Sequence, residues 1–130
     1  MASDVVLREW RLEMPAPAPW LNANQRVDRR AQTEDRACWR DAAHTWAIAR
    51  KLPKGLARVR ITATASFPTL RRRDVDNYAP TVKAVIDGLK RYGLVPDDNA
   101  KHVISVELCI SDRRAISPLG LLVLDIREVP

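Results

Sequence analysis

The sequence predicts a single-domain α+β fold in the order β-α-β-α-β-β, with a mixed or mostly antiparallel four-stranded sheet packed against two helices. Three observations carry this. Short runs alternate apolar and polar residues with the period of two that marks a half-buried strand. Two longer runs repeat apolar residues every three or four positions, as an amphipathic helix does. At 130 residues, the chain is long enough for one core and short for two.

The first strand is predicted over residues 5–13, with Val6, Trp10 and Leu12 on one face and Glu9, Arg11 and Glu13 on the other. Residues 14–20 carry Pro15, Pro17 and Pro19 between small residues. Proline has no N–H for a ladder, so this stretch reads as extended loop. The polar loop continues over residues 21–30, where Asn22, Asn24, Gln25, Arg26, Arg29 and Arg30 are candidates for phosphate contact. Thr33 is the expected N-cap of the first helix, with Glu34 and Asp35 in the first turn, where the helix dipole favours acids. Trp39, Ala42, Ala43 and Trp46 then form its buried stripe, and Pro53 and Gly55 stop it after Lys51. Core packing, rather than base stacking, is the expected role of both tryptophans. His44 falls near the polar side of that helix and is expected in solvent.

Residues 58–67 alternate without a break, Val59, Ile61, Ala63, Ala65 and Phe67 making the apolar face of a second strand. Pro80 suits the first turn of a second helix over residues 80–92, with Val82, Val85, Ile86 and Leu89 on its apolar side. Gly88 inside that helix costs about 1 kcal/mol against alanine, which implies close approach of a neighbouring element. Gly93 is a natural stop. A third strand follows over residues 102–111 with Ile104, Val106, Leu108 and Ile110 inward. A fourth spans residues 119–129 with Leu122, Leu124 and Ile126 inward.

Lysine and arginine outnumber aspartate and glutamate by 22 to 16, a net charge of +6, and the pI is about 9.9. That balance favours an acidic partner such as nucleic acid. No apolar run approaches the ~20 residues of a membrane span, and Met-Ala-Ser-Asp at the start is no signal peptide, so a cytoplasmic protein is expected. Cys38 and Cys109 lack metal-ligand spacing with His44 or His102 and read as two reduced, buried thiols.

The chemistry concentrates between Arg71 and His102. Asp74 and Asp76 are two apart, and in an extended chain such residues point the same way, roughly 6.5–7 Å apart at Cα. Both carboxylates then reach one small volume, and Asp97 or Asp98 completes a third position if the second helix returns the chain to the same end of the fold. Mg²⁺ takes one or two carboxylates and leaves positions for water and substrate phosphate. Like charges this close repel and need a cation, a shared proton or cationic neighbours; Arg71, Arg72 and Arg73 abut them directly. Acids for a metal beside bases for phosphates are the parts of a metal-dependent nuclease. The bland alternatives are loop acids bridged to the arginines, and an exposed ion pair between Lys83 and Asp87, worth ~0.3–0.5 kcal/mol. A calcium loop is excluded, because Ala79 and Val85 stand where its glycine and final glutamate belong.

Asp-Val-Asp-Asn at 74–77, Lys83 and Asp87 four apart, Gly93, and Asp97-Asp98 together resemble the RusA family of Holliday-junction resolvases. The match covers residues 71–102. In the family pattern the lysine follows the Asp-Asn pair after two residues; here residues 78–82 intervene, three more, close to one helical turn, which still lets Lys83 face the site. The resemblance implies a Mg²⁺-dependent endonuclease, Mn²⁺ substituting, that resolves four-way DNA junctions in recombination and repair. It implies catalytic roles for Asp74, Asp76, Asp98 and Lys83, with Asp74, Asp76 and Asp98 as metal ligands and Asp97 as an alternative or additional one. Asp98 is preferred by analogy with the family's acidic pair and because Asp97, directly after Pro96, is placed to serve the turn. Arg71, Arg72, Arg73, Lys83, Arg26, Arg29, Arg30 and Lys101 are the expected DNA contacts. Two symmetric nicks suit a two-fold homodimer. The alternative function is a non-catalytic nucleic-acid-binding module using the same basic surface.

Overall fold

Strands β1 (Arg8–Pro15), β2 (Val59–Ser66), β3 (Val103–Ile110) and β4 (Leu121–Glu128) form one mixed sheet in the order β1-β4-β2-β3. The computed structural model describes residues 5–24 and 28–130. β4 runs antiparallel to both β1 and β2, whereas β2 and β3 are parallel. A parallel pair needs a crossover, and helix α2 (Ala79–Tyr92) supplies it between β2 and β3. Helix α1 (Arg29–Ala49) joins β1 to β2. The α+β class, element order and mixed sheet expected from the sequence are those observed.

The registers align Leu12, Leu124, Ala63 and Leu108 in one cross-strand row, and Met14, Leu122, Ala65 and Ile110 in the next. These rows join the core with Trp39, Ala43 and Ala47 of α1 and Val82, Val85 and Leu89 of α2. Leu12, Met14, Leu122, Leu124 and Ile126 are completely shielded from water. The opposite rows form an open polar face, where Arg11 Nε donates to Asp125 at 2.9 Å and Arg127 donates to the Thr62 hydroxyl at 2.8 Å. Among the described residues, no helix is long and apolar enough to cross a membrane.

Several boundaries differ from expectation, each for a local reason. β1 starts at Arg8 and runs to Pro15, so Met14, expected in the loop, is fully buried, while Val6, expected inward, is exposed. β1 is an edge strand, the place where a proline's missing donor is tolerated. α1 starts at Arg29, not after Thr33: Asp28 is its cap, the carboxylate accepting from Arg30 N. Asp caps as well as Thr and comes earlier, so the Thr33 hydroxyl instead donates back to the Arg29 carbonyl. Val59 pairs with Val103 but Arg60 with Ser105, which makes Ile104 the extra residue of a β-bulge. Val103 therefore takes the buried place expected of Ile104. His44, expected in solvent, is half-buried and packs edge-on to Tyr92. Of the two cysteines expected inside, both are free; Cys38 is exposed and Cys109 half-buried.

The helices meet at Gly88. A Cβ at this position would fall on the Arg40 carbonyl oxygen and stand 2.9 Å from Ala43 Cβ. Gly93 ends α2 in the left-handed region at φ 103°, its N–H shared between the Leu89 and Lys90 carbonyls. Gly88→Ala adds helix propensity yet forces α1 and α2 apart, so we expect a net loss of about 1–3 kcal/mol and a lower Tm in thermal melts. An unchanged Tm would mean that the helices have room to separate.

Candidate functional site

The chain between β1 and α1 crosses the first turn of α2 and is fastened there. Thr81 is completely buried; its hydroxyl accepts from Leu21 N and donates to Leu21 O, both at 2.8 Å. Two further bonds continue the seam, Ala23 N to Asn77 O at 2.9 Å and Asn24 Nδ2 to Asn77 Oδ1 at 2.9 Å. Beneath it Trp20 packs on Trp39, Phe67 and Tyr78 with ring centroids 4.7, 4.8 and 5.8 Å away. Trp39 Nε1 donates to the Pro19 carbonyl. A hydrophobic stack thus holds the loop, and the loop's amides stand over the start of α2.

The arginine triplet lies between β2 and this seam. Arg71 and Arg72 are exposed. Arg73 donates to the Thr69 carbonyl at 2.9 Å, and its guanidinium lies 3.9 Å from the Phe67 ring centroid, a cation–π contact. Asp74 follows with extended backbone, and residues Val75–Tyr78 form a 3₁₀ turn leading into α2. That turn alters the expected geometry. The turn begins after Asp74, so Asp76 stands on a 3₁₀ turn and not on the continuous extended chain expected of the pair. Both acids are exposed, and among the described residues neither has an ion-pair partner within reach. Arg73 beside them engages carbonyls and a ring instead.

A second group of charges lies one and two turns further along α2. Lys83 is exposed and lines a groove with Asp98, Val82, Ile86, Val106 and Leu108. The Asp87 carboxyl is held above its usual pKa by partial burial and then by the Asp98 carboxyl hydrogen-bonded to it, with Lys83 pulling the other way. Asp97 serves the turn: its carboxylate accepts from Asp98 N at 2.8 Å and pairs with Lys90 at 3.2 Å. These two contacts hold Asp97 below the ordinary carboxylate range. Lys101 is exposed in the same loop. Arg29 and Arg30, expected in a loop, form the first turn of α1, with Arg30 3.7 Å from Glu34. Gln25 and Arg26 lie outside the described residues.

Asp87 and Asp98 are close enough to influence each other, whereas Asp74 and Asp76 stand exposed at the approach to α2. Among the described residues, no three His, Cys, Asp or Glu side chains are grouped to hold a metal ion. The three carboxylates expected to share one site, Asp74, Asp76 and Asp98, are not grouped among the described residues, and Asp98 lies 3.9 Å from Lys90. Two carboxylates still suffice for Mg²⁺, which fills its other positions with water and phosphate oxygens. Exposed, unpaired Asp74 and Asp76 have the donor chemistry of such a site. Sequence spacing showed Asp87 only as a partner for Lys83; its contact with Asp98 depends on where the 93–98 turn lands. The aromatic stack of Trp20, Phe67 and Tyr78 carries no periodic signal and was legible only as scattered residues.

No family model matches the chain, and no curated protein is significantly similar to it.

Two expectations follow. Thr81→Val keeps the shape but leaves the buried Leu21 N–H without its acceptor, and we expect a loss of about 1–3 kcal/mol, read as a lower denaturant midpoint. A raised Asp87 pKa means that folding binds a proton there. Its contribution to stability is full below the ordinary carboxylate range and disappears as pH rises through the raised midpoint. Asp98→Asn removes the like charge but not the burial, so the Asp87 midpoint, followed by NMR of its side-chain carbonyl, falls toward the ordinary value without reaching it. An unmoved midpoint would mean that burial alone sets it.

Proposed function

We propose that the protein is a metal-dependent endonuclease acting on branched DNA, with four-way junctions as the substrate that the resemblance to RusA resolvases implies. The observation that carries this reading is the separation of charge at the start of α2. Asp74 and Asp76 are exposed without ion-pair partners among the described residues, beside an arginine triplet that does not neutralise them. Opposite charges that adjoin without pairing are left free for external partners: a cation for the acids, phosphates for the arginines.

Charge elsewhere supports the same placement. The open sheet face sets Glu9, Glu13, Glu107 and Asp125 against Arg11, Arg60 and Arg127, so the basic excess of the chain lies on other surfaces. Arg71, Arg72 and Arg73 line adjoining cavities with Asp74 and Asn77. In this reading Asp74 and Asp76 hold Mg²⁺ or Mn²⁺, and Asp98, beside Asp87, is a second carboxylate position further along the helix. Bound there, the ion would activate water and offset charge on the leaving oxygen. Arg71, Arg72 and Arg73 hold the phosphates flanking the scissile bond, with Lys83 and Lys101 engaging the backbone further along and Arg29 and Arg30 presenting two more cations from α1. Lys83 also supplies positive charge near the reacting phosphate. Paired nicks in a junction call for two such sites related by a two-fold axis, hence a homodimer, working in the cytoplasm on DNA.

The test is single-turnover cleavage of a synthetic four-way junction, a linear duplex and a single strand, each with Mg²⁺ or with chelator. Wild type should cut the junction in Mg²⁺ alone. Asp74→Asn and Asp76→Asn should each lower the rate by at least ~100-fold while junction binding stays intact or tightens, since repulsion between carboxylate and phosphate falls. Cutting at the wild-type rate by either variant under saturating Mg²⁺ would remove the metal assignment. Junction binding that survives chelation, with no scission in Mg²⁺ or Mn²⁺, would leave a non-catalytic DNA-binding module.

A further inference from the structure

An open cavity of about 420 Å³ lies beside the arginine loop, within the size range of small-ligand sites. Trp20, Phe67 and Tyr78 give it an aromatic wall; Asn22 and Asn24 add amides, and Arg71 and Arg73 add cations. No acid lines it. The wall is preorganised, because Trp20 Nε1 donates to the Leu119 carbonyl at 2.6 Å and its ring is wedged against Phe67 and Tyr78. The amides are partly committed: Asn22 Oδ1 accepts from Asn24 N at 2.9 Å, and Asn24 Nδ2 donates to Asn77. That leaves the Asn22 NH₂ as a donor and the Asn24 Oδ1 as an acceptor, without partners among the described residues. A donor and an acceptor side by side match the hydrogen-bonding edge of a nucleobase. A second cavity of about 400 Å³ shares Asn22, Arg71, Arg73 and Tyr78 with the first and adds Asp74.

We propose that the first cavity receives a single unpaired nucleobase of the DNA, its edge read by Asn22 and Asn24 and its flanking phosphates held by Arg71 and Arg73. This rests on the reading of the protein as a nuclease for branched DNA and names the feature of that DNA it engages. A paired base hides both faces in the stack and its edge in its partner; only an extruded base can offer a face to an aromatic wall and an edge to two amides. The shared lining carries the strand from this cavity to Asp74, so the captured base sets which phosphate reaches the acids.

The test is binding by fluorescence anisotropy in chelator, where no cleavage occurs. Three duplexes of one sequence are compared: fully paired, with a single-nucleotide bulge, and with an abasic residue in the bulge. The base-bearing bulge should bind on the order of tenfold more tightly than the other two. The double variant Asn22→Ala/Asn24→Ala, with its melting temperature measured alongside, should lose most of that preference while keeping affinity for the paired duplex. Equal affinity for the abasic and base-bearing bulges would overturn the proposal, as would a folded double variant that keeps the preference. Failure to bind any duplex, or competition by a free deoxynucleoside monophosphate as strong as that of the bulge, would also overturn it. The two readings fail separately. Junction scission in Mg²⁺ without base preference removes only the base site; base preference without scission removes only the catalysis.

Discussion

The placement of the loop after β1 over the start of α2 depends on one buried hydroxyl. Thr81 Oγ1 holds both the N–H and the carbonyl of Leu21, and so ties the loop after β1 to the first turn of α2. The loop carries Pro17 and Pro19 and cannot join a sheet over its length; its backbone groups must find partners elsewhere or stay in water. The seam to Thr81 and Asn77 supplies them. Trp20 then fills the space between Trp39, Phe67 and Tyr78. Without that seam, the amides of Asn22 and Asn24 would have no fixed relation to the arginines or to Asp74.

Charge is sorted by the same framework. On the open sheet face acids and bases pair across strands, as Arg11 with Asp125 does. Exposed pairs of this kind contribute little stability, but they cancel the field of that face. At the start of α2 the sorting is reversed. Arg73 spends its donors on the Thr69 carbonyl and its charge on the Phe67 ring, and Asp74 and Asp76 stay unpaired. Further along, Asp87 is held above the usual carboxylate range by partial burial and by neighbouring Asp98, which itself lies 3.9 Å from Lys90. Helix α2 and the segments at its two ends thus carry exposed acids and bases close together in the chain, chemistry suited to a charged polymer and not to a small neutral ligand.

Much of the fold was legible in the sequence because burial imposes its own period. The alternation from Val59 to Phe67 had one solution, and β2 is a central strand with that face inward. Gly88 announced a close approach, and α1 lies against it. Boundaries were less legible where two residues compete for one job, as Asp28 and Thr33 do for the cap of α1. A period of two also cannot show an inserted residue, and so the bulge at Ile104 was hidden and Val103 took its place inside.

The sequence by itself determined the α+β class, the order of the elements, the inward faces of the central strands and the loop in which acids and arginines meet. All of these follow from local pattern, spacing of at most a few residues and the physics of burying apolar side chains. Only the tertiary structure decided the strand order, the approach of Asp98 to Asp87 and Lys90, and the cavity lined by Trp20. Each of those joins residues far apart in the chain, and their distances are set by how α2 crosses the sheet and where its Gly93 turn returns the backbone. A one-dimensional pattern carries no record of that geometry.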